Sequence, residues 1–128
     1  ALAAARTAIG TPDKNAGTTL GGYDCSGLTQ WAFGQAGVKI PRISFDQYKI
    51  GTDVPKDQIQ PGDLVFFDSN GAGASHVGIA ATPTTVISAT TRGVMEHDIS
   101  KGYWAGHYVG ARRVADGDTA VKAAAARN

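Results

Sequence analysis

The chain of 128 residues has one cysteine, which excludes an internal disulfide. It has three histidines, none at ligand spacing from another or from the cysteine, which argues against a zinc site. No other cofactor is indicated. Charge of one sign is also missing. Twelve basic against eleven acidic residues give a net charge of +1, so neither nucleic acid nor an anionic membrane surface is an expected partner. No apolar run approaches the roughly 20 residues a spanning helix needs. The opening Ala1-Leu2-Ala3-Ala4-Ala5-Arg6 lacks the successive regions of a signal peptide. Its abrupt start is expected of a piece of a longer protein. The length and an apolar share of 42% suit one domain with a real core. A chain of this size buries about 65–70% of its unfolded surface without staples.

The cysteine lies in Tyr23-Asp24-Cys25-Ser26-Gly27-Leu28. Cys25, Leu28, Ala32 and Ala36 recur at spacings of three and four, with Trp31 and Phe33 beside that stripe and Gly37 after it. The pattern predicts a mostly buried helix closed by Gly37. Asp24 is the expected N-cap, which puts Cys25 in the first turn. A thiol there feels the positive end of the helix dipole, and such placement lowers cysteine pKa values and favours the nucleophilic thiolate. The competing reading is a small buried hydrophobe, a common use of free cysteine.

Around this helix the chain changes character once. Ala1 to Ile9 is alanine-rich, with Leu2 and Ile9 on an inner face, and predicts a short helix. Asp13 to Gly22 has turn composition and predicts a loop. Val38-Lys39-Ile40-Pro41-Arg42 is extended, because the residue before proline avoids the helical region. Ser44 to Ile50 predicts a short helix capped by Ser44, and Val54 to Gln60 a connector. Pro61-Gly62-Asp63 then turns into Leu64-Val65-Phe66-Phe67, an apolar run of strand length. Further strands follow at His76–Ala80, Thr85–Ala89, Val94–Ile99 and Tyr108–Val114. Hairpin-length connections make this an antiparallel meander of about five strands. Helices first and strands second define an α+β domain with the Cys25 helix packed on the sheet. The domain is expected to span 1–115, with 116–128 a terminal helix or the start of a linker.

A thiol nucleophile needs a base within hydrogen-bond reach. His76 opens a strand in Ser75-His76-Val77-Gly78-Ile79 and is the candidate, although a satisfied strand-end histidine reads equally well. His97 shares an apolar strand face with Met95 and Ile99, which favours a half-buried packing role. His107 stands at a loop end and is expected to be solvated. Trp31 and Trp104 are expected to pack, with Trp104 also placed to line a groove.

Asp24-Cys25-Ser26-Gly27-Leu28, Pro61-Gly62-Asp63-Leu64-Val65-Phe66-Phe67 and Ser75-His76-Val77-Gly78-Ile79, in this order, resemble the NlpC/P60 family. Arg92-Gly93 and Tyr108 to Val114 extend the likeness, which runs from about Ala3 to Val114. Within the family the Tyr23 to Phe33 block is most similar to the mycobacterial Rip-type peptidoglycan proteins. The resemblance implies a papain-like core and a cysteine endopeptidase acting on peptidoglycan stem peptides between D-isoglutamyl and a diamino acid. It implies Cys25 as nucleophile and His76 as base, with Asp24 and Ser26 lining a pocket for the substrate's free amine. Ser75 and Arg92 fall on the substrate side of the same blocks. It also implies a place in the cell wall or periplasmic space; a monomer is the default expectation.

Two positions depart from the family's pattern. The third polar residue, usually His, Asn or Gln, is Ser88, which is short and would leave a gap beside the imidazole that water must bridge. The tyrosine that usually shapes the pocket after Gly-Thr-Pro is Asp13, an ionised carboxylate that cannot donate a hydrogen bond. These changes favour a weak enzyme, an altered specificity or a non-catalytic peptidoglycan-binding module. An unrelated thiol hydrolase or acyltransferase on a papain-like fold is the remaining reading.

Overall fold

The computed structural model describes residues 1–10, 18–19, 22–69, 71, 73–90 and 92–114. In chain order its elements are α1 (Leu2–Thr7), β1 (Thr18–Thr19), β2 (Gly22–Tyr23), α2 (Cys25–Gln35), α3 (Ser44–Gln47), β3 (Thr52–Val54), β4 (Leu64–Phe67), β5 (His76–Thr82), β6 (Thr85–Thr90), β7 (Gly93–Asp98), α4 (Gly102–Gly106) and β8 (Tyr108–Arg113). The main sheet is antiparallel and has six strands, not about five, in the order β3-β8-β4-β5-β6-β7. β1 and β2 pair separately. The expected loop thus contains a two-residue ladder, while Asp13 to Gly17 lies outside the described residues, as does 116–128. The expected connector is ordered too. Val54 closes β3 and Lys56–Gln58 forms a 3-10 turn.

α2 forms where the apolar spacing put it. Asp24 is extended (φ −88°, ψ 175°), and its side chain accepts from the Gly27 N–H. At the other end Gly37 has φ 83°, donates to the Gly34 carbonyl, and lets Val38 donate to the Phe33 carbonyl. That pair of bonds is a Schellman closure, which favours glycine at the left-handed position. Ser26 to Thr29, Ala32 and Phe33 are all buried, so α2 is an interior helix. It packs on α1, β5 and β6. Leu28 and Phe33 are fully buried, and each contributes roughly 1.5–3 kcal/mol by leaving water.

β4 is apolar along its whole length because both faces of the sheet are covered. Leu64 and Phe66 join Leu28, Ala32, Phe33, Val77, Ile79 and Ile87 under the helices. Val65 and Phe67 join Val54, Ile59, Val86, Ile99 and Ala111 on the other side, with Trp104 and Tyr108 against them. At the foot of β4 the buried Asp63 carboxylate takes both Nε and Nη2 of Arg113 at 2.9 Å. The same carboxylate accepts from the Gln60 N–H.

Two local expectations fail for packing reasons. Ile9 is 45% exposed, and Ala5 and Ala8 face the core instead, because small residues let α1 approach α2 closely. Ser44 is not the cap of α3. Ile43 holds that position, and the buried Ser44 hydroxyl donates to the Ala74 carbonyl at 2.7 Å. α3 thereby fixes the loop before β5. Its last residue, Gln47, is fully buried and fixes the start of α2. Gln47 Nε2 donates to the Ser26 and Pro41 carbonyls, and its Oε1 accepts from the Thr29 hydroxyl. Replacing it by a residue of similar volume without polar atoms strands these buried partners. Gln47→Leu is therefore expected to lower unfolding free energy by roughly 2–4 kcal/mol in urea titration. A loss below about 0.5 kcal/mol would show that the helix start is held by packing alone.

Candidate active site

The site is built at the N-terminus of α2, where it meets the first residues of β5. Asp24 divides its carboxylate between two tasks. Oδ1 accepts from the Gly27 N–H at 2.6 Å, and Oδ2 accepts from Arg42 Nη2 at 3.0 Å. Arg42 Nη1 also donates to the Ser26 hydroxyl at 2.9 Å. Both residues flanking Cys25 are thus held by one guanidinium. Arg42 was not singled out from the sequence, although its place after Pro41 in an extended segment is what aims it back at the helix. The Asp24 carboxylate is thus already partnered by a cation.

Cys25 is partly buried, and its thiol points to the Ser75 carbonyl with Sγ···O 3.8 Å. That carbonyl belongs to the residue directly before His76. The helix tip and the strand start are therefore neighbours, as the motif order requires. The Ser75 side chain faces the β4–β5 loop, where its hydroxyl accepts from the Ser69 N–H at 2.9 Å.

His76 sits opposite Phe67 in the β4–β5 ladder and is 8% exposed. Its ring lies 6.1 Å from the Phe67 ring and 4.8 Å from that of Trp104. Nε2 is sealed from solvent without a hydrogen-bond partner. Burial in this aromatic setting, with a smaller contribution from His97, pushes the pKa down to about 4. At neutral pH His76 is a neutral imidazole, able to accept a proton.

Ser88 is on β6 and fully buried. Its hydroxyl is not idle beside a water-filled gap; it lies 2.6 Å from His97 Nε2. His97 is half-buried and shares a face of β7 with Met95, as its spacing predicts. Burial lowers its pKa, with the Asp98 backbone and carboxylate opposing that shift. Trp104, on the unpredicted helix α4, packs tilted against both imidazoles, with centroids 4.8 Å from His76 and 4.7 Å from His97. His97 and Trp104 also line an open cleft of about 320 Å³ with Thr90, Arg92 and Met95. Arg92 is exposed at its mouth. His107 is not simply solvated; it stacks on Tyr103 at 4.0 Å. Of the residues singled out from the sequence, Cys25, Asp24, Ser26 and Ser75 meet at the helix tip. His76 and Ser88 share the adjoining sheet face, Arg92 stands beside it, and Asp13 lies outside the described residues.

A thiol at a capped helix tip, a neutral imidazole at a neighbouring strand start and a six-stranded antiparallel sheet define a papain-like thiol site. The chain matches the NlpC/P60 family over residues 10–113, and it belongs to that family. It is 44% identical over 92 residues to the probable endopeptidase p60 of Listeria monocytogenes, covering 72% of this chain and 19% of that protein. It is 35% identical over 95 residues to the bifunctional muramidase/DL-endopeptidase CwlT of Bacillus subtilis, covering 73% of this chain and 29% of that protein. The solved structure of the peptidoglycan hydrolase RipB of Mycobacterium tuberculosis superposes with a TM-score of 0.72 at 30% identity, covering 88% of this chain and 61% of that one. The chain thus spans less than a third of the length of these two curated relatives.

The depressed pKa of His76 has a signed consequence. The unfolded chain takes up a proton at this imidazole near pH 6.5, and the folded protein only near 4. Stability is unaffected above pH 6.5 and falls as pH drops from 6.5 to 4, by on the order of 3 kcal/mol. Urea unfolding at pH 7 and pH 4 is expected to show a smaller loss for His76→Gln than for the wild type. Equal losses would mean that His76 titrates normally in the folded protein.

Proposed function

We propose that this domain, residues 1–115, is a cysteine endopeptidase that cuts peptidoglycan stem peptides between D-isoglutamyl and a diamino acid. It acts as a monomer outside the cytoplasmic membrane, in the wall or periplasmic space, without a metal or cofactor. The observation that carries the reading is the placement of the Cys25 thiol against the Ser75 carbonyl, one residue from the neutral His76. The p60 and CwlT relatives support the reaction class, and the Tyr23 to Phe33 block supports a nearer kinship with RipD-like members of the Rip group.

In this mechanism His76 takes the Cys25 proton as sulfur attacks the substrate carbonyl. The tetrahedral oxyanion forms at the start of α2, where backbone N–H groups and the helix dipole favour negative charge. Collapse gives a thioester, with His76 returning the proton to the leaving amine. Water, activated by the same imidazole, then releases the acyl product and the thiol. Ser88 is the third residue of the catalytic set. Asp24, Ser26 and Ser75 at the helix tip are assigned to the substrate pocket, as is Asp13 from its place in the sequence, and Arg92 to the Trp104 cleft.

A second reading is a non-catalytic peptidoglycan-binding module on the same scaffold. The short Ser88 at the third position and Asp13 in place of tyrosine favour it, and His76 Nε2 has no hydrogen-bond partner among the described residues. A muropeptide digest with wild type and Cys25→Ala side by side decides between them. The endopeptidase reading expects cleaved stem peptides by mass spectrometry with the wild type and none with Cys25→Ala. Retention of both proteins on peptidoglycan with no product from either would replace it with the binding reading.

A further inference from the structure

The geometry points to His97 as a positioning residue that acts through Ser88. His97 holds the hydrogen of the Ser88 hydroxyl, so that Ser88 presents its oxygen lone pairs to His76 and keeps the His76 proton on Nε2. This rests on the catalytic reading of His76, but its test does not depend on turnover.

A serine beside an imidazole is ambiguous, because a hydroxyl both donates and accepts. If Ser88 donated toward His76 Nε2, the His76 proton would sit on Nδ1, the nitrogen left for the thiol. His76 could then not serve as a base. The ambiguity disappears if the hydroxyl hydrogen is claimed elsewhere. His97 Nε2, at 2.6 Å from the Ser88 oxygen, is placed to claim it. For Nε2 to accept, the proton of neutral His97 must be on Nδ1. That nitrogen is buried and makes no hydrogen bond among the described residues, so nothing there competes for its proton.

The surroundings hold these parts in one arrangement. Trp104 packs against both imidazoles, tilted 37° to His76 and 31° to His97, which fixes the planes of the two rings relative to one another. His76 and Gly78 stand two apart on β5 and share one face of it. A Cβ on Gly78 would lie 3.0 Å from the Ser88 Cβ and from the Ile87 carbonyl oxygen. The bare Cα therefore keeps the space beside Ser88 clear. His76 Nε2 is buried and bonds neither Ser88 nor any other group among the described residues, so it is a free donor on the same face as this oxygen, and the assignment requires the two to close to bonding distance. A histidine and a serine together then do what a single longer polar side chain does in other arrangements of base and orienter.

The test reads the His76 tautomer by long-range ¹H–¹⁵N correlation on histidine-labelled protein at pH 7.5, with His76→Gln to assign the signals. The wild type is expected in the Nε2–H form. His97→Phe keeps a ring on Trp104 but cannot accept, and Ser88→Ala removes the relay; each is expected to shift His76 to a mixture or to the Nδ1–H form. His97→Gln restores an acceptor near the same place and is expected to restore the wild-type tautomer. Stem-peptide hydrolysis, measured in parallel, is expected to fall roughly 10²-fold in kcat with KM unchanged for His97→Phe, and to recover in His97→Gln. An Nε2–H His76 in every variant, or an Nδ1–H His76 in the wild type, overturns the assignment. If the wild type hydrolyses nothing, the endopeptidase reading fails, while the tautomer series still decides the role of His97. Should Ser88→Ala not fold, the His97→Phe and His97→Gln pair gives the same decision.

Discussion

Arg42 grips Asp24 and Ser26 at once, and the position of the sulfur between them depends on that grip. A helix end is ordinarily the part most ready to fray, since its first N–H groups lack partners within the helix. Here the first turn is capped by Asp24, clamped by Arg42 and backed from inside by Gln47. The pair is partly buried, with side-chain exposures of 33% and 24%. A carboxylate and guanidinium in that setting retain more of their attraction than an exposed pair. Because α3 also bonds the Ala74 carbonyl, one short segment fixes both the helix tip and the loop leading to His76. The Cys25 thiol and the His76 imidazole are thus referenced to a common support 16 to 18 residues beyond the motif that carries the thiol.

The opposite face of the sheet sets the chemistry of the base. Phe67 and Trp104 desolvate His76, and His97 adds a second unfavourable neighbour for positive charge. That keeps the ring neutral, but it also makes the imidazolium costly when the thiol proton arrives. A nearby oxygen with exposed lone pairs lowers that cost at the moment the charge develops. The engagement of Ser88 by His97 therefore bears on both properties of His76, its tautomer and its basicity.

What could be read from the chain was local. The α2 helix, its Asp24 cap and its Gly37 closure depend on residues within a few positions of one another. The Leu64–Phe67 strand announced itself by an unbroken apolar run, and the motif order placed His76 at a strand start. What escaped depends on contacts between distant segments. Thr52–Val54 is too short and too polar for any periodicity, and becomes a strand only because β8 offers an edge. Gly102–Gly106 begins and ends in glycine, which masks a helix that exists to seat Trp104 between two histidines. Ser44 had the composition of a cap, yet the loop before β5 needed its hydroxyl more. Arg42, Gln47 and His97 carry ordinary residue types in unremarkable surroundings, and their roles appear only when the sheet brings positions 42 and 24, or 88 and 97, together.

The two borders of the main sheet have a consequence for how a peptide can be engaged. β3 is only three residues long. β7 has its outer edge already engaged at Val94, whose carbonyl accepts from the Gly10 N–H, and carries Glu96 and Asp98 as exposed carboxylates. Short or acidic borders of this kind discourage annexation of an incoming chain as an extra strand, and with it the self-association that bare ladders invite. With strand addition discouraged at both borders, side chains at the rim where strand starts and helix tip converge, rather than a backbone ladder, are left to hold a ligand.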